Sequence, residues 1–378
     1  MTHKKVIVLV AGGTGGHLFP AEALAVELRQ RGYDVHLATD ARAKRFVQYF
    51  DEKHVHIISS ATFTRRCPFA LIKTFWYLLK GMGQSLVLFC KLRPVLVGGF
   101  GGYPTFPPVF VATLMRYVTF IHEQNAVMGR ANRALATRVN AIAGGLLSVN
   151  DIYAYKTLLT GNPVREAILK AAETPYSPST HDKPFYFLVF GGSQGASFFS
   201  QIVPEAIALL DSNIRKRLRI VQQTRGELTD LMKIYSDMGV QAEVAPFFDN
   251  MAEQISRSHL IMSRAGASTV CEIAVIGRPA LLVPYPHALD HDQAANAALL
   301  ASVGGAQIIA EKDLNAQVLS SFLTKACYEP HLLEKQALAT KKVGKPHAAS
   351  LLADVAEGLI VGRSLSDIKR EFFDENAA

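Results

Sequence analysis

Residues 11–17 read AGGTGGH, a loop in which four glycines and a threonine precede a histidine. Glycine has no Cβ, so a ligand can approach this backbone closely and φ can be positive. A helix that begins after such a loop presents free N–H groups and the positive end of its dipole, which attract an anion. Imidazole has an ordinary pKa of about 6.5 and is mostly neutral at pH 7, so His17 can act as a general base.

Two simpler interpretations of this loop stay open. A tight strand-to-helix turn also needs small residues, and His17 could bind a backbone carbonyl at the helix start. A dinucleotide site is disfavoured, because G-x-G-x-x-G counted from Gly13 requires a glycine where Leu18 stands. The acidic residue Asp40 also comes later than the usual ~20 residues, and no Gly-Lys-Ser/Thr of a P-loop follows.

A second small-residue loop lies in the segment LIMSRAGASTVCEIAVIGRPALLVPYP. Ser268 is a suitable N-cap and predicts a helix from about Thr269 to a Gly277 cap. The amides of Ala267, Ser268 and Thr269 could then hold a diphosphate. Glu272 would fall in the first turn, where a carboxylate either stabilises the helix electrostatically or accepts hydrogen bonds from ribose hydroxyls.

The elements that must position these loops follow a strand–helix–strand order. KKVIVLV is an apolar β-type run, and the stretch after the first loop has Ala21, Leu24, Ala25 and Leu28 at helical spacing. We expect this helix to begin at about residue 19 and to stop near Gly32, before the strand DVHLAT. Such a βαβ beginning predicts a parallel sheet with helices on both faces.

A similar unit returns in the second half of the chain. FYFLVF is followed by GGSQG and a helical pattern, so each half begins with a strand, a Gly-Gly loop and a helix. Two similar α/β domains explain this better than one large sheet. The proline-rich stretch 172–184 reads as a linker or surface loop, and KKVGKPH at 341–347 precedes an amphipathic helical tail.

Composition narrows the class of protein. The chain has 378 residues, a net charge of +8 and a pI of about 9.2. A basic balance suits an anionic partner such as a nucleotide, a nucleic acid or a phospholipid surface, or is an ordinary charge excess. Four scattered cysteines indicate neither a zinc cluster nor a disulfide framework. His287 and His291 lack a third ligand nearby, so we expect no metal site.

The most apolar region, residues 69–90, is too interrupted to cross a membrane, since its longest uncharged piece is ten residues and a span needs about 20. The wider segment 65–93 could contact a membrane surface. Apolar and basic residues share it in the pattern of an interfacial helix. A core helix with snorkelling lysines is the alternative. The residues that we expect to contact a membrane are Ile72, Lys73, Phe75, Trp76, Leu79 and Lys80. No secretory signal is expected, because the first apolar run is five residues.

Seven segments in order resemble the MurG family of N-acetylglucosaminyltransferases. They are GGTGGH, GFGGYP, HEQN, GNPVR, GGSQGA, RAGASTVCEIA and the stretch 293–296, and they cover most of residues 4–310. The resemblance implies the GT-B fold, an α/β architecture of two Rossmann-like domains with parallel sheets that face across a cleft. It implies an acceptor- and membrane-binding domain at 1–163, a UDP-GlcNAc-binding domain at 164–342, and a helical tail at 343–378 that packs back on the first domain.

The resemblance also implies the reaction, an inverting and metal-independent transfer of N-acetylglucosamine from UDP-GlcNAc to the 4-hydroxyl of the muramic acid sugar of lipid I. His17 is the favoured base, and His122 and Glu123 are the other candidates. Arg165 and Arg264 are the cations that could stabilise the departing diphosphate. The residues that the family pattern assigns to UDP-GlcNAc are Thr14, Gly15, Gly16, Asn125, Arg165, Ser193, Phe248, Ala267, Ser268, Thr269, Glu272 and Gln293. Ser197 replaces an arginine that is frequent in the family.

The expected setting follows from the same resemblance. The enzyme would be peripheral on the cytoplasmic face of the bacterial inner membrane, with lipid I and anionic lipid as partners, together with proteins of cell-wall synthesis. No cofactor and no nucleic acid are expected. Two alternatives stay open: a UDP-sugar epimerase of the same fold, and a nucleotide-binding scaffold attached to the membrane.

Overall fold

The computed structural model describes residues 4–42, 50–61, 68–148, 152–180, 183–191, 196–226, 228–288 and 292–374. The chain divides into two compact units, each with its own sheet. The first unit is Met1–Arg165 together with Pro346–Ala378, and the second is Glu166–Lys345.

The first unit is built on a parallel sheet. Its strands are β1 (Val6–Val10), β2 (Asp34–Thr39), β3 (Val55–Ile57), β4 (Leu96–Gly99), β5 (Val118–Glu123), β6 (Ala141–Gly144) and β7 (Thr157–Leu158). Among the described residues they pair in the order β3-β2-β1-β4-β5-β6-β7, and every pair is parallel. β1, β4 and β6 are almost wholly buried, which is why they read as continuous apolar or small-residue runs.

Helices cover both faces of this sheet. They are α1 (Gly15–Gln30), α2 (Pro68–Leu92), α3 (Phe106–Leu114) and α4 (Arg130–Leu135), with α14 (Ala348–Ile360) and α15 (Leu365–Asp374) from the end of the chain. Leu24 of α1 and Leu352 of α14 belong to one buried cluster, and Phe89 of α2 and Val109 of α3 to another. Arg31, just after α1, ties α14 to it by ion pairs to Asp354 and Glu357 at 2.5 and 2.7 Å.

The second unit repeats the architecture. Its strands are β8 (Phe185–Phe190), β9 (Leu218–Gln223), β10 (Gln241–Ala245), β11 (Leu260–Ser263), β12 (Ala280–Leu282) and β13 (Ala306–Ile308). They form a parallel sheet in the order β10-β9-β8-β11-β12-β13 within the described residues. Its helices are α5 (Glu166–Ala171), α6 (Ala196–Ala208), α7 (Ser212–Arg217), α8 (Leu228–Asp237), α9 (Met251–Arg257), α10 (Ala267–Ile276), α11 (Asp292–Ser302), α12 (Ala316–Tyr328) and α13 (Pro330–Lys342).

The predicted fold class, two α/β domains with parallel sheets, is therefore confirmed. None of the helices that the structure describes combines the length and the apolar character that a bilayer crossing requires. The predicted helix after the first glycine loop is present, but it begins at Gly15 and not at residue 19. Pro20 lies inside this helix, in its second turn, where it has no N–H to donate to the carbonyl four residues earlier.

Candidate functional site

In each unit the candidate residues lie at the carboxyl ends of parallel strands, where α/β folds bind ligands. In the first unit, residues 14–17 follow β1, Asn125 follows β5 and Arg165 comes after β7. In the second unit, Phe248 follows β10, and residues 267–272 follow β11. Gln293 lies in α11, the helix that follows β12.

The last residues of the first glycine loop, Gly15 to His17, form the first turn of α1. Thr14 is the N-cap, with an extended backbone, and its side chain caps none of the helix amides. His17 therefore lies in the first turn of a regular helix, with its amide bonded to the carbonyl of Thr14 at 3.2 Å. Asp40 accepts a hydrogen bond from the Gly13 amide at 3.4 Å, so this carboxylate holds the loop.

A chain of hydrogen bonds joins His17 to two other motifs. The His122 Nε2 atom lies 3.0 Å from the carbonyl oxygen of Gly161, and its Nδ1 lies 3.1 Å from the Gln124 amide nitrogen. That amide also donates to the carbonyl of Phe100 at 3.0 Å. The Gln124 Oε1 atom lies 3.0 Å from His17 Nδ1. The chain thus connects the segments GGTGGH, GFGGYP, HEQN and GNPVR.

The acceptors along this chain fix where its protons lie. A carbonyl oxygen only accepts, so Gly161 requires the proton of His122 on Nε2 and leaves Nδ1 as an acceptor. The Gln124 amide nitrogen must face His122 and Phe100, and its oxygen must face His17. His17 consequently donates from Nδ1 to Gln124, and its Nε2 is the ring nitrogen that can accept a proton.

His122 is suited to be the neutral member of the chain. It is fully buried and stacks on Phe100 with 5.4 Å between ring centroids. Burial lowers the pKa of His122 to about 4, against the hydrogen bond to Gly161, which acts to raise it. Both ring nitrogens are engaged, so the geometry disfavours His122 as the general base.

Glu123, the other candidate base, is the anchor of a loop. One carboxylate oxygen accepts from the backbone and side-chain amides of Asn125, both at 3.1 Å. The other accepts from the Gly129 amide at 2.9 Å and from the Asn132 side chain at 2.8 Å. Four donors use the lone pairs of this carboxylate, so its observed role is to fix the backbone around Asn125.

Two glycines leave the space that the His17 ring occupies. Gly101 and Gly102 both have positive φ, at 84° and 77°. A Cβ on Gly101 would lie 3.3 Å from two atoms of the His17 ring. A Cβ on Gly102 would lie 3.2 Å from the ring and 2.9 Å from the carbonyl oxygen of Gly12. The segment GFGGYP therefore shapes the imidazole site by its backbone.

Arg165 is close to the start of α1. Its guanidinium carbon lies 4.3 Å from the centre of the Phe19 ring. That ring in turn lies beside Gly15, since a Cβ there would come 2.8 Å from it. A cation predicted from GNPVR thus lies near the first turn of α1.

The helix start in the second unit differs from the prediction. The N-cap of α10 is Gly266, with an extended backbone and no capping side chain, so Ser268 is not the cap and the helix begins at Ala267. Glu272 is buried and lies in the second turn of the helix and not in the first. The predicted Gly277 cap is observed in the left-handed conformation.

Gln293 connects the loop before α10 to the loop after β12. Its side-chain oxygen accepts from the Ala265 amide at 3.1 Å and from the Tyr285 amide at 2.9 Å. Asn296, one turn later, donates to the carbonyl of Ala265 at 3.2 Å. Because the Gln293 oxygen is engaged, the group that it can offer a ligand is its amide N–H.

Arg264, suggested by sequence as a cation for the diphosphate, has another role. It is buried, forms an ion pair with Glu311 and donates to the carbonyl of Val283 at 3.2 Å. Its guanidinium also lies 4.8 Å from the centre of the Phe199 ring. The charge of Arg264 is therefore used inside the unit to support the loop.

The remaining predicted contacts differ in exposure. The Phe248 side chain is buried while that of Phe247 is exposed, so Phe248 can address a ligand through its backbone. Ser193 lies outside the described residues, and Ser197 is exposed at the start of α6. Gln124, which directly follows β5, was not among the predicted site residues. The signal was present, because continued strand alternation puts Gln124 on the same face as His122.

The six predicted membrane-contact residues lie on the solvent side of α2. Ile72 and Trp76 are each 67% exposed and Phe75 is 61% exposed, so the alternative of a core helix does not describe this face. The opposite face, with Ser85 and Phe89, is buried against the unit. Lys73, Leu79 and Lys80 are also exposed, and α2 contains no acidic residue.

Family models and known relatives of this chain both indicate a family of glycosyltransferases. Residues 7–144 match the glycosyltransferase family 28 N-terminal domain, and residues 186–352 match the glycosyltransferase family 28 C-terminal domain. A UDP-N-acetylglucosamine–N-acetylmuramyl-(pentapeptide) pyrophosphoryl-undecaprenol N-acetylglucosamine transferase of Bartonella bacilliformis is 80% identical over 376 residues, covering 100% of both chains.

Solved structures give the same fold. The crystal structure of Acinetobacter baumannii MurG matches with a TM-score of 0.74 and 28% identity, covering 93% of this chain and 98% of that one. A UDP-GlcNAc 2-epimerase of Neisseria meningitidis bound to UDP-GlcNAc matches with a TM-score of 0.65. Its identity is 12%, over 93% of this chain and 99% of that one, which shows a shared fold only.

The low pKa of His122 predicts an acid-dependent loss of stability. The folded state keeps this imidazole neutral down to about pH 4, while the unfolded chain binds the proton near pH 6.5. The stabilisation is therefore fully present above pH 6.5 and is lost as the pH falls towards 4, by about 3 kcal/mol. We expect His122→Gln to remove this contribution. Its unfolding free energy, measured by urea titration at a series of pH values, should approach that of the unaltered protein as the pH falls.

The control is His331→Gln, an exposed histidine in the second unit, which should leave the pH dependence unchanged. Parallel pH profiles for His122→Gln and the unaltered protein would contradict the buried neutral imidazole.

Proposed function

The chain belongs to the family of UDP-N-acetylglucosamine–N-acetylmuramyl-(pentapeptide) pyrophosphoryl-undecaprenol N-acetylglucosamine transferases, and we propose the reaction and the residue roles that follow. The enzyme transfers N-acetylglucosamine from UDP-GlcNAc to the 4-hydroxyl of the muramic acid sugar of lipid I. The product is lipid II, a precursor of peptidoglycan. The single observation that carries the mechanism is the hydrogen-bond chain that leaves His17 Nε2 as a proton acceptor.

We assign the two substrates to different domains. Residues 1–163 bind the lipid-linked acceptor and the membrane, residues 164–342 bind UDP-GlcNAc, and residues 343–378 form a tail on the first domain. The support is that in each unit the candidate residues lie on the ligand-binding edge of its own sheet.

The proton transfer is assigned to His17. The acceptor 4-hydroxyl oxygen attacks the anomeric carbon of N-acetylglucosamine and forms the new glycosidic bond. Its proton passes to Nε2 of His17, while Gln124 holds the Nδ1–H and orients the ring. The bond between the anomeric carbon and the UDP oxygen breaks on the opposite side, which inverts the configuration.

The departing UDP carries the electron pair of the broken bond, and its negative charge needs stabilisation. The first turn of α10, at residues 267–269, is a helix N-terminus that directly follows the loop after β11, and its dipole and amides favour the diphosphate. Arg165 supplies a positive charge beside α1, where Thr14, Gly15 and Gly16 contribute backbone groups.

The other donor contacts complete the proposed UDP-GlcNAc site. Glu272 accepts hydrogen bonds from the ribose hydroxyls, and the Gln293 amide donates one to a sugar hydroxyl. The Phe248 backbone contacts the uracil. Ser193 and Asn125 also contact the donor. The position of Gln293 is supported by its two backbone hydrogen bonds, which hold its side chain against the loop that precedes α10.

Two other functions fit the same fold less well. An epimerase of this fold would need no lipid acceptor, and the relative of that activity shares 12% identity, which speaks only for the fold. A nucleotide-binding scaffold would not need an oriented imidazole. Radiolabel from UDP-GlcNAc found in free sugar and not in lipid would favour the epimerase.

Removal of His17 tests the catalytic assignment. With labelled UDP-GlcNAc and a lipid I analogue, we expect His17→Ala to lower kcat by about 10²–10⁴-fold, since a positioned base contributes that much. The dissociation constant for UDP-GlcNAc, measured by calorimetry, should stay within a few-fold. Gln124→Met keeps the volume but not the hydrogen bond, and should also lower kcat without weakening donor binding. Full turnover by His17→Ala would remove the base assignment and revive the scaffold.

We also propose that α2 attaches the enzyme peripherally to anionic lipid at the cytoplasmic face of the inner membrane. Phe75, Trp76 and Ile72 are exposed large apolar groups on one helix face, a costly arrangement in water. Lys73 and Lys80 flank them, and the helix has no acidic residue to offset these charges. Apolar insertion together with attraction to anionic headgroups is how interfacial helices bind.

Liposome co-sedimentation tests the attachment. The double variant Lys73→Glu with Lys80→Glu should bind anionic vesicles at least about 30-fold more weakly, because each lost basic residue contributes about 1 kcal/mol and the new carboxylates add repulsion. Binding of the unaltered protein should also weaken with salt. The matched control reverses Lys335 and Lys342, two exposed charges of α13, and should bind normally. Equal sedimentation of both double variants would show that α2 is not the attachment surface.

A further inference from the structure

A cluster of histidines and acids lies away from the proposed active site. Asp34 is the first residue of β2 and His36 follows two residues later. His54 ends a short 3-10 turn, and His56 lies in β3. Asp34 pairs with Val6 at the beginning of β1, whereas the glycine loop follows Val10, about 13 Å further along the strands.

The donor atoms are spaced as metal ligands. His54 Nε2 lies 3.1 Å from one Asp34 carboxylate oxygen, and His36 Nε2 lies 3.5 Å from the other. Tetrahedral zinc with bonds of 2.0–2.1 Å places its ligand atoms about 3.3 Å apart. One ligand atom from each of the three residues lies within 4.8 Å of the others. Among the described residues, this is the one group of three with such spacing.

The second ring nitrogen of each histidine also has a partner. His36 Nδ1 lies 2.9 Å from His56 Nε2, and His54 Nδ1 lies 3.7 Å from an Asp51 carboxylate oxygen. Metal-bound histidines characteristically donate their other N–H to such a group, which fixes the tautomer and the ring orientation. His56 holds the His36 ring in this way, whereas Asp51 lies near His54 at a distance too long for a hydrogen bond. The Nε2 atoms of both imidazoles face the Asp34 carboxylate.

The site is open on one side. His36 is buried, whereas Asp34 and His54 are partly exposed, so an ion can enter and water can take a fourth position. Asp34, Asp51 and His54 line a cavity with Lys4 and Tyr33. Arg29 also lines this cavity. Its guanidinium donates a hydrogen bond to the carbonyl of Val35 and stacks on the Phe50 ring.

We propose that Asp34, His36 and His54 bind one divalent transition-metal ion, with zinc as the best match, and that His56 orients the His36 imidazole. The ion would join β2 to the turn before β3. Because β3 is the edge strand of the sheet, this cross-link would stabilise the edge of the first unit. The site is separate from the proposed transfer reaction, so its occupancy should change stability and not the chemical step.

Titration of the untagged, metal-free full chain with Co²⁺ tests the proposal, since tetrahedral Co²⁺ gives intense visible bands. We expect one Co²⁺ per chain, displaced by Zn²⁺, and a higher melting temperature with Zn²⁺. Asp34→Asn and His54→Ala, both at partly exposed positions, should each weaken binding by more than about 100-fold. His56→Phe should weaken it by about 10–100-fold, as loss of an orienting partner does.

The control variant is His331→Ala, an exposed histidine outside the cluster, which should bind Co²⁺ as the unaltered protein does. Circular dichroism and glycosyl transfer should show that Asp34→Asn and His54→Ala are folded and active. Absence of saturable Co²⁺ and Zn²⁺ binding would overturn the proposal. Retention of the visible bands in both ligand variants would overturn it as well.

Discussion

The carbonyl of Gly161 determines the protonation of an imidazole in a different loop. It accepts from His122, which must then accept from Gln124, which must then present its oxygen to His17. Burial favours this arrangement, because His122 and Gln124 are almost fully excluded from water and an unpaired polar group there would be costly. The chain thereby joins four loops that are remote in sequence and gives His17 one tautomer.

The same principle, a buried polar side chain that ties loops together, recurs in both units. Glu123 accepts four hydrogen bonds around Asn125, and Gln293 accepts two from separate loops near α10. Parallel sheets bring loops to one edge, but they do not fix the conformation of those loops. In this protein polar side chains from the strands and helices supply that rigidity, which preorganised stabilisation of the proposed sugar transfer requires.

The sequence predicted the parts that depend on local pattern. Strand–glycine–helix order at residues 6–30 and again at 185–208 was sufficient to predict two parallel α/β units.

The predicted start of α10 was wrong, because β11 ends at Ser263 and the turn is completed at Gly266, before the better capping residue Ser268 is reached. The internal role of Arg264 was not predicted, because its ion pair with Glu311 joins residues far apart in sequence. The Asp34, His36 and His54 cluster was missed for the same reason, since the pairing of β2 with β3 assembles it.

The tautomer of His17, with its proton on Nδ1 and Nε2 as an acceptor, can be measured directly. Two-bond ¹H–¹⁵N correlation spectra of the full chain with ¹⁵N-labelled histidine distinguish the two neutral tautomers. His17→Ala and His122→Gln would assign the signals. At neutral pH the hydrogen-bond chain predicts the Nδ1–H tautomer for His17 and the Nε2–H tautomer for His122. A His17 signal with the proton on Nε2 would contradict it, because that nitrogen could not then accept a proton from the acceptor sugar.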